Sequence, residues 1–184
     1  ANELRTLMAN TIVAQMIGDG DVKGGSGLRF RYGNQRTRAT MDLDTSWKTD
    51  LDSFLKGLRT KLSEGWNGFT GEIHILRQAS PRGILFEYVM QPCEVKLSYR
   101  SRPWFTVQLE VGHNEIGDAD ECEMIDVPEV LSELFSFLAL PKPLSIPMMK
   151  LEFQVAQKLH GVSAPKSKRA HDLVDLQLIL NNSE

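Results

Sequence analysis

Asp42 and Asp44 flank Leu43 in the β-prone run TMDLD. Residues two apart on a strand point to the same face. Both carboxylates would therefore look out from one side of a sheet, while Met41 and Leu43 pack into the core. Carboxylates this close repel one another unless a cation joins them. Mg²⁺ is the hard, oxygen-seeking ion that also binds triphosphates, and Mn²⁺ accepts the same ligands. Such a site can hold a nucleotide and stabilise in-line displacement at its α-phosphorus. An isolated Asp-x-Asp pair also occurs on solvated turns. What singles this pair out is its place downstream of Gly24-Gly25-Ser26, in the stretch VKGGSGLRFRYGNQRTRATMDLD. A Gly-Gly-Ser turn lets backbone amides approach a phosphate closely, because glycine has no Cβ to obstruct them. It is not a Walker loop, since GxxxxGK[ST] is absent.

Further along, WFTVQLEVG alternates Val107, Leu109 and Val111 with Gln108 and Glu110. Glu110 thus lies opposite the apolar residues, where a metal-binding or basic carboxylate would stand; an exposed strand glutamate is the plain alternative. Glu87 and Glu94, in the adjoining strand signals, are weaker candidates for the same place.

These side chains need a scaffold. Leu4, Leu7, Met8, Thr11, Ile12 and Met16 recur at helical spacing, predicting a helix over 2–17 that ends near Gly18. GDGDVKGGSG, with five glycines in ten residues, must turn sharply. Leu51, Phe54, Leu55, Leu58 and Leu62 write a second helix, with Asp50 or Thr49 as its N-cap and Gly65 as its stop. GEIHIL, GILFEYVM, CEVKLSY and WFTVQLEV follow as strands of an antiparallel meander attached to TMDLD. After the acidic loop GHNEIGDADECE comes a helix carrying Val130, Leu131, Leu134, Phe135 and Leu138. PKPLSIP is a breaker-rich linker, and two helices, about 148–162 and 169–180, end the chain. The order predicts an α+β (mixed α/β) domain, a mixed and largely antiparallel sheet with flanking helices.

The chain has 184 residues, 41% hydrophobic and 24% charged, enough to bury a core without disulfides or metals. Cys93 and Cys122 lie in no CxxC motif, so reduced thiols are expected. No apolar run approaches the length of a membrane span and the start does not read as a signal peptide, which makes the cytoplasm the expected compartment. A net charge of −3 argues against non-specific coating of nucleic acid. Local basic sites remain, in Arg29, Arg31, Arg36 and Arg38 and in Lys166, Lys168 and Arg169; their plain reading is a solvated face.

The Gly-Ser turn before an Asp-x-Asp strand resembles the signature of the nucleotidyltransferase superfamily, although Ser26 to Asp42 is longer than in its minimal members. That superfamily commonly adds a third carboxylate from a neighbouring strand, which points to Glu110. Two segments narrow the resemblance to the AbiEii/AbiGii toxin family. Its "KGGtaLr…yg…R.T.DlD" pattern is met by Lys23, Gly24, Gly25, Ser26, Leu28, Arg29, Tyr32, Gly33, Arg36, Thr40, Asp42, Leu43 and Asp44. Its "AeKLhA…R…RDlyDL" pattern is met by Ala156, Gln157, Lys158, Leu159 and His160, then Arg169, His171, Asp172, Leu173, Asp175 and Leu176. His171 departs from the usual arginine.

The resemblance implies a metal-dependent nucleotidyltransferase toxin of a toxin–antitoxin or abortive-infection system. It would use a nucleoside triphosphate, with RNA (tRNA) as acceptor or else a protein hydroxyl, and would have a cognate antitoxin. Asp42, Asp44 and Glu110 would bind Mg²⁺ or Mn²⁺. Gly25, Ser26, Arg36 and Lys158 would bind the nucleotide, and Lys158 and Asp172 would join the three carboxylates as catalytic residues. Lys158 would project from a helix whose Phe153, Ala156 and Leu159 face the core. Residues 1–140 would form the catalytic domain and 141–184 a C-terminal helical segment completing the site. The alternatives are a degenerate relative that binds only a nucleotide or an antitoxin, and a phosphotransferase on the same fold.

Overall fold

An opening helix, α1 (Asn2–Ala14), leads to a short strand, β1 (Gly20–Lys23), and straight into α2 (Gly24–Tyr32). The computed structural model describes residues 2–33, 35–79, 89–113, 121–164, 167 and 169–182. Its other elements are β2 (Leu43–Trp47), α3 (Leu51–Glu64), β3 (Phe69–Ile75), β4 (Gln91–Tyr99), β5 (Arg102–Gly112), β6 (Cys122–Ile125), α4 (Glu129–Phe137), β7 (Ile146–Met149), α5 (Leu151–Ser163) and α6 (Ala170–Asn182). The strands form one seven-stranded sheet in the order β3-β4-β5-β2-β1-β7-β6. Pairs β2–β5 and β1–β7 are parallel and the rest antiparallel, so the mixed, largely antiparallel sheet with flanking helices stands as expected.

One face of the sheet is apolar because side chains alternate across each strand. Cys93, Val95 and Leu97 of β4 and Val107, Leu109 and Val111 of β5 are buried, whereas Lys96, Thr106 and Gln108 are exposed. The α1 helix packs against β5 and α3 against β3. The α3 face of Phe54, Leu55, Leu58 and Leu62 is buried, the Asp50 side chain accepts from Ser53 N–H at 2.8 Å, and Gly65 ends the helix at φ 80°. The opposite face of the sheet stays polar, and the charged residues gather there.

Several local expectations give way. Gly24-Gly25-Ser26 is the first turn of α2, not a loop; Gly24 takes φ +62° and helical backbone follows at once. Strand β2 begins at Leu43, so Asp42 stands just before it and Met41 is half exposed. The PKPLSIP stretch contributes to β7, whose Ile146, Met148 and Met149 are fully buried, and α5 therefore starts at Leu151. Residues 141–184 thus add a strand to the sheet besides two helices. Strand β6 was also unforeseen: four-residue strands are too short to show alternation. GILFEYVM lies outside the described residues apart from Val89 and Met90, which are not in a strand. The same holds for Glu87, Lys166 and Lys168. Both cysteines are free, Cys93 buried and Cys122 partly so. Burial pushes the Cys93 thiol up to about 11. Among the described residues no helix is long and apolar enough to cross a membrane.

Candidate active site

Three neighbouring strands set three charged side chains in a row. Lys23 of β1 pairs with Asp44 of β2, and Asp44 with Glu110 of β5. Directly paired residues share a face, so the row stands on the polar side while Leu43 and Leu109 point into the core. Asp42 reaches the same cleft from the bend before β2, and Gly24 and Gly25 border it from the start of α2. A Cβ at Gly24 would stand 2.1 Å from Asp44 Oδ2. Glycine there serves two needs, the positive φ and the close approach of helix to carboxylate. The result puts the free N–H end of α2 beside the acidic cluster.

The carboxylates feel one another. Burial first, and then Glu110 and Asp42, push the Asp44 carboxyl up to about 7, against the pull of Lys23 and Lys158. Glu110 is also raised, by burial and by Asp42, with Arg169 opposing. Crowded oxygen donors that resist ionising together are what a hard divalent cation relieves, so the residues present fit such an ion. Among the described residues no three His, Cys, Asp or Glu side chains form a ready-made ligand cluster. The expected trio of Asp42, Asp44 and Glu110 is thus not assembled as a ligand set, and an ion here would take at most two of them, with phosphate oxygens and water completing its shell.

Ser26 does not line the cleft. It is buried, and its hydroxyl donates to the Asp42 carbonyl, fastening the chain that carries Asp42 to α2.

Helices α5 and α6 make the opposite wall of this open cleft, whose volume is about 370 Å³. Lys158 is 7% exposed, and its Nζ donates to Asp172 Oδ1 at 3.0 Å and Asp175 Oδ2 at 2.7 Å. Asp175, 1% exposed, also accepts from Arg38 Nε at 2.8 Å and Nη2 at 3.0 Å. Although burial drives the Asp175 carboxyl up, the Arg38 and Lys158 hydrogen bonds outweigh it and hold the group below the usual carboxylate range. Arg169 Nε pairs with Asp172 Oδ2 at 3.0 Å. His171 lines the cleft with its side chain half exposed.

The expected orientation of α5 is reversed. Gln154, Lys158 and Gly161 are its buried face, while Ala156 and Leu159 are exposed. The helix looks onto the polar cleft and not onto the apolar core, so its inward stripe is polar. Asp172 and Asp175 of α6 follow the same logic, with Leu173 and Val174 outside.

The arginine segment divides. Arg29 is buried, donating to the Thr40 carbonyl at 3.0 Å and pairing with Glu3 at 3.0 Å, and Arg31 pairs with Glu123. Both are taken up by the scaffold. Arg36 is exposed and does not line the cleft; Arg38 does. The spacing Arg-x-Thr-x-Asp-x-Asp already fitted Arg38, two residues before Thr40, better than Arg36. Sequence reasoning also passed over Lys23 and Gln154. The first had a signal, since it directly precedes Gly24 and Gly25, and the second had none beyond lying four residues before Lys158.

No curated protein sequence matches the chain. Two solved structures from Helicobacter pylori share its fold. One, described as a candidate nucleotidyltransferase, is 18% identical with a TM-score of 0.57, over 99% of this chain and 68% of that one. The other, JHP933, is 18% identical with a TM-score of 0.55, over 96% of this chain and 64% of that one. The family model for the nucleotidyl transferase AbiEii toxin of type IV toxin–antitoxin systems matches residues 22–184, which takes in the row of charges, both glycines and the Lys158 wall. The chain therefore belongs to the AbiEii family of nucleotidyltransferase toxins.

Proposed function

We propose that the chain moves a nucleotide from a nucleoside triphosphate to an acceptor hydroxyl, with RNA, and tRNA in particular, as acceptor. The observation that carries this reading is the meeting of Asp42, Asp44 and Glu110 with Arg38, Lys158 and Arg169 across one cleft. Asp42 and Asp44 would hold Mg²⁺ or Mn²⁺, which supplies charge neutralisation at the α-phosphate. The acceptor oxygen attacks the α-phosphorus, the bond to the β-phosphate breaks, and pyrophosphate leaves with its electron pair. Glu110, whose raised carboxyl makes it a better base, takes the hydroxyl proton. Gly25 and the first turn of α2 receive phosphate oxygens through backbone N–H groups. Lys158, kept in place by Asp172 and Asp175, faces the triphosphate from the other wall. Exposed Arg36 and half-exposed Arg169 offer charge for an RNA backbone outside the cleft. A cognate antitoxin would counter the activity in the cytoplasm.

Incubation of the purified protein with each labelled triphosphate, Mg²⁺ and total RNA tests the reading. Label is expected on RNA from one triphosphate in preference to the others. Label on a protein would replace the acceptor, and no covalent label with any triphosphate would refute transfer.

A further inference from the structure

Arg38, Lys158 and Arg169, which line the cleft, each have a carboxylate partner within 3.0 Å. Lys158 has two. Lys23 differs. It is 7% exposed and lines the same cleft, yet among the described residues its ammonium has no hydrogen bond and no ion pair within 4 Å. Its long-range partner is Asp44, beside it in the row. The stem is enclosed, but the ammonium itself opens onto the cleft, where an anionic ligand can take its free donors.

The fold makes room for this side chain. Gly112 ends β5 two residues after Glu110, and a Cβ there would stand 2.6 Å from Lys23 Nζ and 3.0 Å from Cε. The absent Cβ leaves the niche in which the lysine lies across the sheet beside the carboxylates. Lys23 is also the N-cap residue of α2, so its ammonium and the free N–H groups of Gly24 and Gly25 belong to one electropositive wall. Three unused donors next to that helix end, opposite the already neutralised Lys158, match the non-bridging oxygens of a polyphosphate.

We infer that Lys23 is a phosphate-binding residue of this site, its ammonium taking a non-bridging oxygen of the triphosphate chain. The inference rests on the nucleotide-transfer reading and adds a contact from β1 that the α5 and α6 wall does not supply. Charge is conserved simply: the anionic oxygen takes the place of Asp44 as the ammonium's partner when the carboxylate is engaged elsewhere.

Isothermal titration with inorganic tripolyphosphate, with Mg²⁺ and again in EDTA, tests it on the full chain. Lys23→Met keeps the stem and removes the charge, and should weaken binding tenfold or more in both buffers. Gly112→Ala keeps the charge but moves the ammonium from its niche, so it should weaken binding in the same direction, separating a local contact from the general field. Thermal melts accompany both. If Lys23→Met does not fold, Gly112→Ala decides. Folded variants that bind tripolyphosphate as tightly as the unaltered protein overturn the inference and leave nucleotide transfer standing. An unaltered protein that binds no tripolyphosphate in either buffer overturns the nucleotide reading itself.

Discussion

Replacing Asp44 by asparagine should make the metal-free protein more stable while abolishing its chemistry. The carboxyl is pushed up from 3.8 to about 7, by burial and then by Glu110, with Asp42 adding and Lys23 and Lys158 opposing. A group whose folded value lies above its unfolded one favours the fold while protonated. Its contribution is intact below about pH 4 and is lost as the pH climbs from there to 7. At about 1.4 kcal/mol per unit, a rise of this size sets a ceiling of about 4 kcal/mol on the cost at pH 8. Asp44 is only partly buried by its surface, although its carboxylate is wedged against Gly24 and beside two other acids. Relaxation and water in the cleft therefore reduce the measurable cost to about 1–2 kcal/mol. Asparagine has the same shape and cannot ionise. In EDTA at pH 8, Asp44→Asn should melt about 2–8 °C above the unaltered protein. The gap should shrink as the pH falls towards 4, and transfer should drop at least about a hundredfold at every pH. Differential scanning calorimetry across pH 4–8 reads the first part and labelled-nucleotide transfer the second. A variant that melts below the unaltered protein at pH 8, with the two alike at pH 4, would refute the reasoning.

Asp175→Ala should cost about 3–5 kcal/mol in urea unfolding, because Arg38 and Lys158 lose a nearly fully buried partner; a loss under about 1 kcal/mol would remove its bridging role. The depressed carboxyl of Asp175 stabilises the fold above its unfolded value, so this difference should narrow as the pH falls below about 4. Gly24→Ala should reduce transfer at least about a hundredfold, since the new Cβ must displace the Asp44 carboxylate from 2.1 Å away; unchanged turnover would show that Asp44 can move freely. Arg38→Ala should raise KM for the triphosphate, whereas Arg36→Ala should leave it unchanged, as expected from cleft lining against exposure. Steady-state kinetics on the two variants separates them.

Much of the site was legible in the chain. The Asp-x-Asp pair, the glycines before it and the alternation around Glu110 are local patterns; strand geometry gives Asp44 and Glu110 their face, whereas Asp42 stands before β2 and the glycines open α2. Helix α3 was equally plain, with its leucine stripe, Asp50 cap and Gly65 stop contained in sixteen contiguous positions, residues 50–65. What local pattern could not give was pairing. Strands β6 and β7 are four residues each and are strands because each other and β1 supply their hydrogen bonds. The inward face of α5 could not be read from its sequence, because the rule that buried stripes are apolar assumes an apolar neighbour, and this helix faces a cleft. Lys158 is buried because Asp172 and Asp175, fourteen and seventeen positions later, neutralise it there. Arg38 was chosen over Arg36 by a carboxylate 137 positions away. The row of Lys23, Asp44 and Glu110 exists only once β1, β2 and β5 lie side by side in register. Sequence by itself determined which residue types were available and, on elements packed against the apolar core, which face each would take. The tertiary structure decided which charges meet, because Coulombic attraction and desolvation act over a few ångströms of space whatever the separation along the chain.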